Sequence, residues 1–370
     1  MKREKIKSLA EYIELISKSE FQDSYFRGEN DKYDKISSSL IRNIDNINDF
    51  IGVEEVYDNL QNAYYQEIGY QLDKTQEENF LAFSQHHGLK TNLIDFTTAP
   101  LVALYFACER EIYNAATGFV YILKKKNTID ASDFLHKYSI KGHTFNNVFY
   151  NIAINDREVI DSFRILLENY MGLGSDKNPM ETLCLLINQI CSDCESEIFP
   201  NSYNYIKEYR KLWEEAAKPN FESIGADTRQ LNKKYFPEIN LIGGQTIVDF
   251  TVLLLLFFED VKGHTQEIKK DIPFPQIPYL MYKTPLKFDR IQNQNGVFLY
   301  QGFLDYQKDL YGEEIGTMVQ EIKPDIIVEI HNQKKIMKEL DMIGINRKYI
   351  YGDFDNAARY INDKIIEKFI

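Results

Sequence analysis

The chain is poor in the residues that most metal, disulfide and covalent chemistry needs. It has 370 residues with 4 cysteines, 6 histidines and a single tryptophan. Four cysteines are too few for a disulfide scaffold of this size. Cys184, Cys191 and Cys194 could offer three thiolates to zinc, but no fourth ligand stands at comparable spacing, so reduced thiols on a helical segment are the expectation. The sequence contains no Gly-x-Ser-x-Gly elbow, no phosphate loop, no His-x-x-x-His pair and no Cys-His pairing, which argues against a covalent triad. Positive charge is also short. With 43 Lys and Arg against 56 Asp and Glu, the net charge of -13 repels phosphate backbones and anionic lipid, and leaves room only for a local basic patch.

Long apolar runs are absent too. Val252 to Phe258, with Ile247 and Val248 ahead of Asp249, falls short of the roughly 18 to 20 residues that cross a bilayer and reads as a buried helix. Met1 to Lys7 is basic without the apolar core of a signal peptide, so a cytoplasmic location is expected and no membrane partner. What is abundant is core material: 44% of residues are hydrophobic, enough for one large domain or two modest ones. The 25 Tyr and 24 Phe, with many Asn and Ile, suggest an AT-rich bacterial coding sequence.

Periodicity predicts an amphipathic helix over residues 6–16, a strand from Phe21 to Gly28, helices over 53–72 and 77–87, and a left-handed cap at Gly88. A loop over 89–97 should lead to Thr98 as N-cap and Pro100 in the first turn of an apolar, central helix reaching about Tyr113. Gly118 to Leu123 reads as a strand. Residues 127–280 read as a mainly helical insertion between parts 1–126 and 281–370. An extended stretch from Pro273 to Pro285 spans the end of the insertion, and strands over 296–303 and 325–330 and helices over 332–343 and 356–369 follow. The fold class is α+β, a small mixed sheet packed with helices around a cleft.

The most informative stretch runs from Gln85 to Pro100 and on into Leu101 to Ala107, because it plants His86, Asp95, Thr97 and Thr98 beside unbroken apolar sequence. Burying such groups costs several kcal/mol, roughly 2 to 7 for a neutral one, unless they are hydrogen-bonded. The stretch resembles the central signature of the FRG domain. Tyr25-Phe26-Arg27-Gly28, Arg290 to Phe298 and Ile345 to Phe354 are similar to its other marks, so the resemblance spans residues 20–362. His87 and Lys90 depart from the usual pattern without removing a polar group.

Arg27 beside Gly28 at a strand end is suited to grip phosphate or carboxylate through its planar donors, or else to bridge Asp95 structurally. His86 could serve as acid, base or anchor oriented by Asp95, or be a satisfied core histidine. Thr98 reads as a cap or a ligand contact. A second, weaker likeness is to mono-ADP-ribosyltransferases of the Arg-Ser-Glu type, in the order Arg27-Gly28, then Phe96-Thr97-Thr98 before Ala103 and Phe106, then Gln292-Asn293-Gln294. That likeness implies an Arg holding the NAD pyrophosphate or ribose, a hydroxyl placing the sugar, and a Glu stabilising the cation formed as nicotinamide leaves. Gln294 stands where the Glu would be, and an amide supplies no negative charge, so Asp95 becomes the acid to watch.

The resulting site has His86, Asp95 and Gln294 as catalytic candidates, with Arg27, Gly28, Gln85, Thr97, Thr98 and Arg290 binding a nucleotide-like ligand. No metal or prosthetic group is implied; NAD enters as a substrate, and a protein or nucleic acid as a target. The rival readings are a non-enzymatic interaction module and a His-Asp hydrolase.

Overall fold

The computed structural model describes residues 2–33, 35–42, 51–109, 117–133, 135, 157–172, 199–215, 221–237, 245–263, 268, 271–275, 277–309 and 311–366. Strand β1 (Lys2–Ile6) precedes helix α1 (Leu9–Ile16), whose first turn is capped by the Ser8 hydroxyl accepting from the Glu11 N–H. Strand β2 (Ser24–Glu29) is followed by α2 (Val53–Ile68). Next come α3 (Lys74–Glu78), held by an Asp73–Gln76 capping box, and α4 (Phe80–His86), which closes at Gly88 with φ of 90°. Strand β3 (Leu93–Thr97) runs directly into α5 (Pro100–Cys108), with proline at the first helical position.

After β4 (Gly118–Lys124) and β5 (Thr128–Asp130), the chain enters helices α6 (Arg157–Gly172), α7 (Pro200–Glu215), α8 (Phe221–Tyr235) and α9 (Gln245–Lys262). It returns through β6 (Tyr279–Tyr282), a short α10 (Asp289–Asn293), β7 (Gly296–Tyr300), β8 (Phe303–Gln307), β9 (Ile315–Val319) and β10 (Ile326–Ile330). Helices α11 (Gln333–Met342), α12 (Arg347–Tyr351) and α13 (Phe354–Ile366) follow.

The fold is α+β, and its sheet is larger than the sequence suggested. Among the described residues eight strands pair in the order β1-β10-β4-β2-β3-β7-β6-β5, with β8 and β9 forming a separate hairpin. Because β5 and β6 pair with each other at one edge, helices α6 to α9 leave and rejoin the sheet at neighbouring strands. Helix α9 is apolar all round in its middle, where Val252 to Phe258 are at most 3% exposed, as a segment packed on every side requires. On the other half of the sheet, α5 lies over β2 and β4 with α11 beside it, joining one core through Tyr12, Leu104, Val328 and Ile336.

One junction decides where a site can form. Strands β2 and β4 pair over six residues and β3 and β7 over five, but β2 and β3 meet only at Phe26 and Thr97. The sheet is two ladders joined at a single point, and it forks open beyond that point.

Several expectations need correcting. Residues 2–6 form an unexpected edge strand parallel to β10, and the helix expected over 6–16 starts at Leu9. The expected loop over 89–97 contains β3, which sequence alternation hides because Leu93, Ile94, Phe96 and Thr97 are all buried. The expected helix over 77–87 breaks at Asn79, the proline-punctuated connector holds β6, and the expected strand over 296–303 is two strands separated at Gly302. Helix α5 ends at Cys108, and residues 110–116 lie outside the described set, as do Cys184, Cys191 and Cys194. Among the described residues no cluster of His, Cys, Asp or Glu could hold a metal, and no helix is long and apolar enough to cross a membrane.

Candidate functional site

Arg27 sits in the fork. Alternation along β2 puts Arg27 and Glu29 on the same face, and the Arg27 Nε donates to Glu29 Oε1 at 2.8 Å. Its Nη1 donates to the Asp95 backbone carbonyl, also at 2.8 Å, so the side chain supplies a partner where the β2–β3 ladder has stopped. The carboxylate that Arg27 holds is therefore Glu29, not Asp95. Sequence reading missed Glu29 although its spacing of two from Arg27 was the available signal. Gly28 is required for a different reason from close ligand approach: an added Cβ would stand 1.9 Å from the Ala103 carbonyl oxygen of α5.

The hydroxyls divide the work differently from the sequence expectation. Ala99, not Thr98, is the N-cap of α5, and the Thr97 Oγ1 accepts its N–H at 2.9 Å. Thr97 Oγ1 also donates to the Gln294 carbonyl at 2.5 Å, tying the end of β3 to the end of α10. Thr98 is exposed and reaches Asn295 only through its backbone N–H. The Gln294 amide donates to the Ile350 carbonyl at 3.2 Å.

Gln85 is a clamp: its Oε1 accepts from Thr91 Oγ1 at 2.6 Å while Nε2 reaches Asp95 Oδ2 at 3.4 Å. His86 is not oriented by Asp95. Its ring stacks on Phe288 with centroids 3.9 Å apart and planes within 3°. Burial, then the neighbouring His87 and Arg290, push its pKa down to about 4, against an opposing pull from Asp95. At neutral pH the imidazole is therefore in its uncharged form, with one ring N–H, and its face walls the recess beside Phe288.

That shift has a sign that can be checked. Between about pH 6.5 and 4 the unfolded chain protonates this imidazole and the folded one does not, so its contribution is complete above pH 6.5 and is lost as pH falls toward 4. Asp305, raised by burial to about 6, acts oppositely, losing stability as pH rises through the same range. The total curve mixes the two, so the difference is the measurement: His86→Gln should show a shallower loss of stability than wild type from pH 6.5 to 4.5 in urea titrations. His87 is lowered in the same direction and persists in the variant. Parallel curves would refute the assignment.

Around these groups lies a cleft of about 230 Å³ lined by Arg27, Asp95, Thr97, Arg290 and Gln294, with Val102 and Phe106 of α5 among its apolar walls. A smaller recess of about 70 Å³ adjoins it, lined by Gln85, His86 and Ile291, and shares Asp95, Phe96, Arg290 and Gln294. The structure thus brings Arg27, Gly28, Asp95, Thr97, Arg290 and Gln294 together in the first, places Gln85 and His86 in the second, and leaves Thr98 lining neither. Asp95 is solvent-exposed and stands where the two meet.

Residues 22–115 match the FRG domain. No curated protein and no solved structure matches the chain. The FRG segment carries β2 to α5 and with them Arg27, Gln85, His86, Asp95 and Thr97, while Arg290 and Gln294 come from beyond it. Besides Glu29, two contributors were not singled out from the sequence: Phe288, which stacks on His86, and Tyr351, within the Ile345 to Phe354 mark, which lies under Arg290 with the guanidinium carbon 5.4 Å from the ring centre. Neither has a local signal, since both contacts join segments far apart in the chain.

Proposed function

We propose that the cleft between the two ladders binds a nucleotide-like ligand and that the protein cleaves NAD at its glycosidic bond, in the manner of an ADP-ribosyltransferase or NAD glycohydrolase. The observation that carries this reading is the meeting of a carboxylate, two guanidinium groups and an amide, from separate stretches of chain, on one solvent-open cleft at the fork. A nucleotide needs apolar walls for its rings and donors for its anionic and sugar groups, and this cleft offers both.

In the reaction the bond from ribose C1′ to the nicotinamide nitrogen breaks. The electron pair leaves with the ring, which becomes neutral nicotinamide, and C1′ becomes cationic until water or an acceptor nucleophile bonds to it and gives up a proton. Asp95 supplies the negative charge facing that cation, the role Gln294 cannot fill. The Thr97 hydroxyl, already spent on Gln294 and Ala99, fixes the cleft floor. NAD is a cytoplasmic metabolite, and its destruction suits a bacterial toxin or anti-phage effector.

Purified protein incubated with NAD should release nicotinamide, and Asp95→Asn should lower the rate by about 100-fold or more. Because Asp95 is exposed and, among the described residues, its side chain hydrogen-bonds only with Gln85, the variant should keep its unfolding midpoint. Release unaffected by the substitution would overturn Asp95 as the acid, and no release by wild type would overturn the enzyme reading. Binding without release would favour an interaction module, the reading that the amide at Gln294 supports.

A further inference from the structure

We infer that Arg290, and not the motif arginine Arg27, is the anion receptor of the cleft, and that it takes a phosphate group of the ligand where the two recesses join. The inference rests on the nucleotide reading for its choice of phosphate over other anions.

Arg27 is poorly placed for that task. Its side chain is 13% exposed, its charge is balanced by Glu29 at 2.8 Å, and Nε and Nη1 both have internal acceptors. A phosphate brought to Arg27 would also approach the Glu29 carboxylate, and repulsion between like charges in a buried setting offsets the attraction.

Arg290 differs in each respect. It is exposed, it lines both recesses, and among the described residues no carboxylate lies within ion-pair distance of it. Its guanidinium rests over the Tyr351 ring with the central carbon 5.4 Å from the ring centre, a cation–π contact that occupies none of its N–H groups with a charged acceptor. The platform is itself fixed. The Tyr351 hydroxyl donates to Glu109 Oε2 at 2.7 Å, the Tyr105 hydroxyl donates to Glu109 Oε1 at 3.0 Å, and Arg347 stands 3.9 Å from the same carboxylate.

Nearby acids make their hydrogen bonds elsewhere, and Asp353, whose carboxyl is lowered chiefly by Asn356 and only lastly by the Arg290 charge, forms no ion pair with it. Asp353 accepts from the Asn356 backbone and amide, and Asp95 from Gln85. Arg290 is therefore held in orientation without being neutralised, which is the preorganised state that anion recognition favours. Its position sets the shape of the ligand: a ring-bearing arm in the larger recess against Phe26, Val102 and Phe106, a phosphate at Arg290, and a smaller polar group toward Gln85 and His86.

The test is calorimetric titration of the full chain with inorganic pyrophosphate and, separately, with ADP, using wild type, Arg290→Gln and Arg290→Lys. Wild type should bind both. Arg290→Gln should weaken each by at least about tenfold with an unchanged unfolding midpoint, and Arg290→Lys, which keeps the charge but not the planar donors, should recover part of the loss. If pyrophosphate binds wild type and ADP does not, Arg290 stands as an anion receptor and the nucleotide reading falls. If ADP binds wild type and Arg290→Gln alike, the nucleotide reading stands and the assignment to Arg290 falls. Binding of neither probe to wild type would overturn both.

Discussion

Replacing Arg27 with alanine is expected to lower the unfolding free energy by about 3 to 5 kcal/mol, far beyond the loss of a surface cation. The change strips the cation from Glu29, which is 7% exposed, and removes the donor from the Asp95 carbonyl at the end of the β2–β3 ladder. The Tyr121 phenol across the strand pair, pushed up to about 12 by burial and by the Glu29 charge, offers that carboxylate a hydrogen bond but no compensating positive charge. The mechanism is separable from a general packing defect. Adding Glu29→Gln to the Arg27→Ala variant removes the stranded charge and should restore more than about 1 kcal/mol, read from urea midpoints at constant slope. A loss below 1 kcal/mol in the single variant, or no recovery in the double one, would refute the account. The consequence for function is direct, because a dead Arg27→Ala variant would report a broken fork before it reported a missing ligand contact. Asp95 and Arg290, exposed and lightly bonded, are the positions where activity and stability can be told apart.

How much of this was legible depends on whether the deciding force was local. The Gly88 cap, the proline that opens α5, the all-round apolar α9 and the strand-helix pair β10–α11 each follow from residues within a few positions of one another, and sequence reading placed them. Strand β3 was missed because it is buried on both faces, so the alternation that marks a half-buried strand never appears. Strand β1 carries three of its five residues exposed and reads as a polar leader until β10 is there to pair with it.

The site divides in the same way. The residues that line the two recesses lay within or beside the marks that carried the FRG resemblance, and Thr98 of those marks lines neither, but who holds whom was not readable. The hydroxyl that bonds the α5 backbone belongs to Thr97, one position before the expected Thr98, because the end of β3 fixes which of the two points at that helix. The imidazole at His86 found Phe288 rather than Asp95, since a partly buried ring gains more from a stacked neighbour than from an exposed carboxylate. The fork itself has no sequence signature: it is a register property of two strands that each have a better partner on their other side.

Gly28→Ala is the second large effect, and it comes from space rather than charge. A Cβ on Gly28 would lie 1.9 Å from the Ala103 oxygen and 2.8 Å from the Ala107 nitrogen, both backbone atoms of α5 that no rotamer change can move. On the adjoining strand, a Cβ on Gly118 would lie 1.9 Å from the Ala107 oxygen. Ala103 and Ala107 are one helical turn apart, so the two glycines are seats for successive turns of the same helix face. Helix α5 cannot simply retreat, because Ala103, Leu104 and Ala107 are fully buried in one core with Tyr12 of α1 and Ile336 of α11. Forcing it outward should cost about 3 kcal/mol, the upper end for overpacking, and Gly118→Ala about the same. Together they would consume much of the roughly 5 to 15 kcal/mol that holds a domain folded. Val102 and Phe106 ride on that helix and wall the cleft, so a Gly28→Ala protein that still folds should bind nucleotide more weakly as well. Urea unfolding within 1 kcal/mol of wild type would show that β2 and α5 slide apart freely, and the close seating of strand and helix could then no longer explain why glycine follows Arg27.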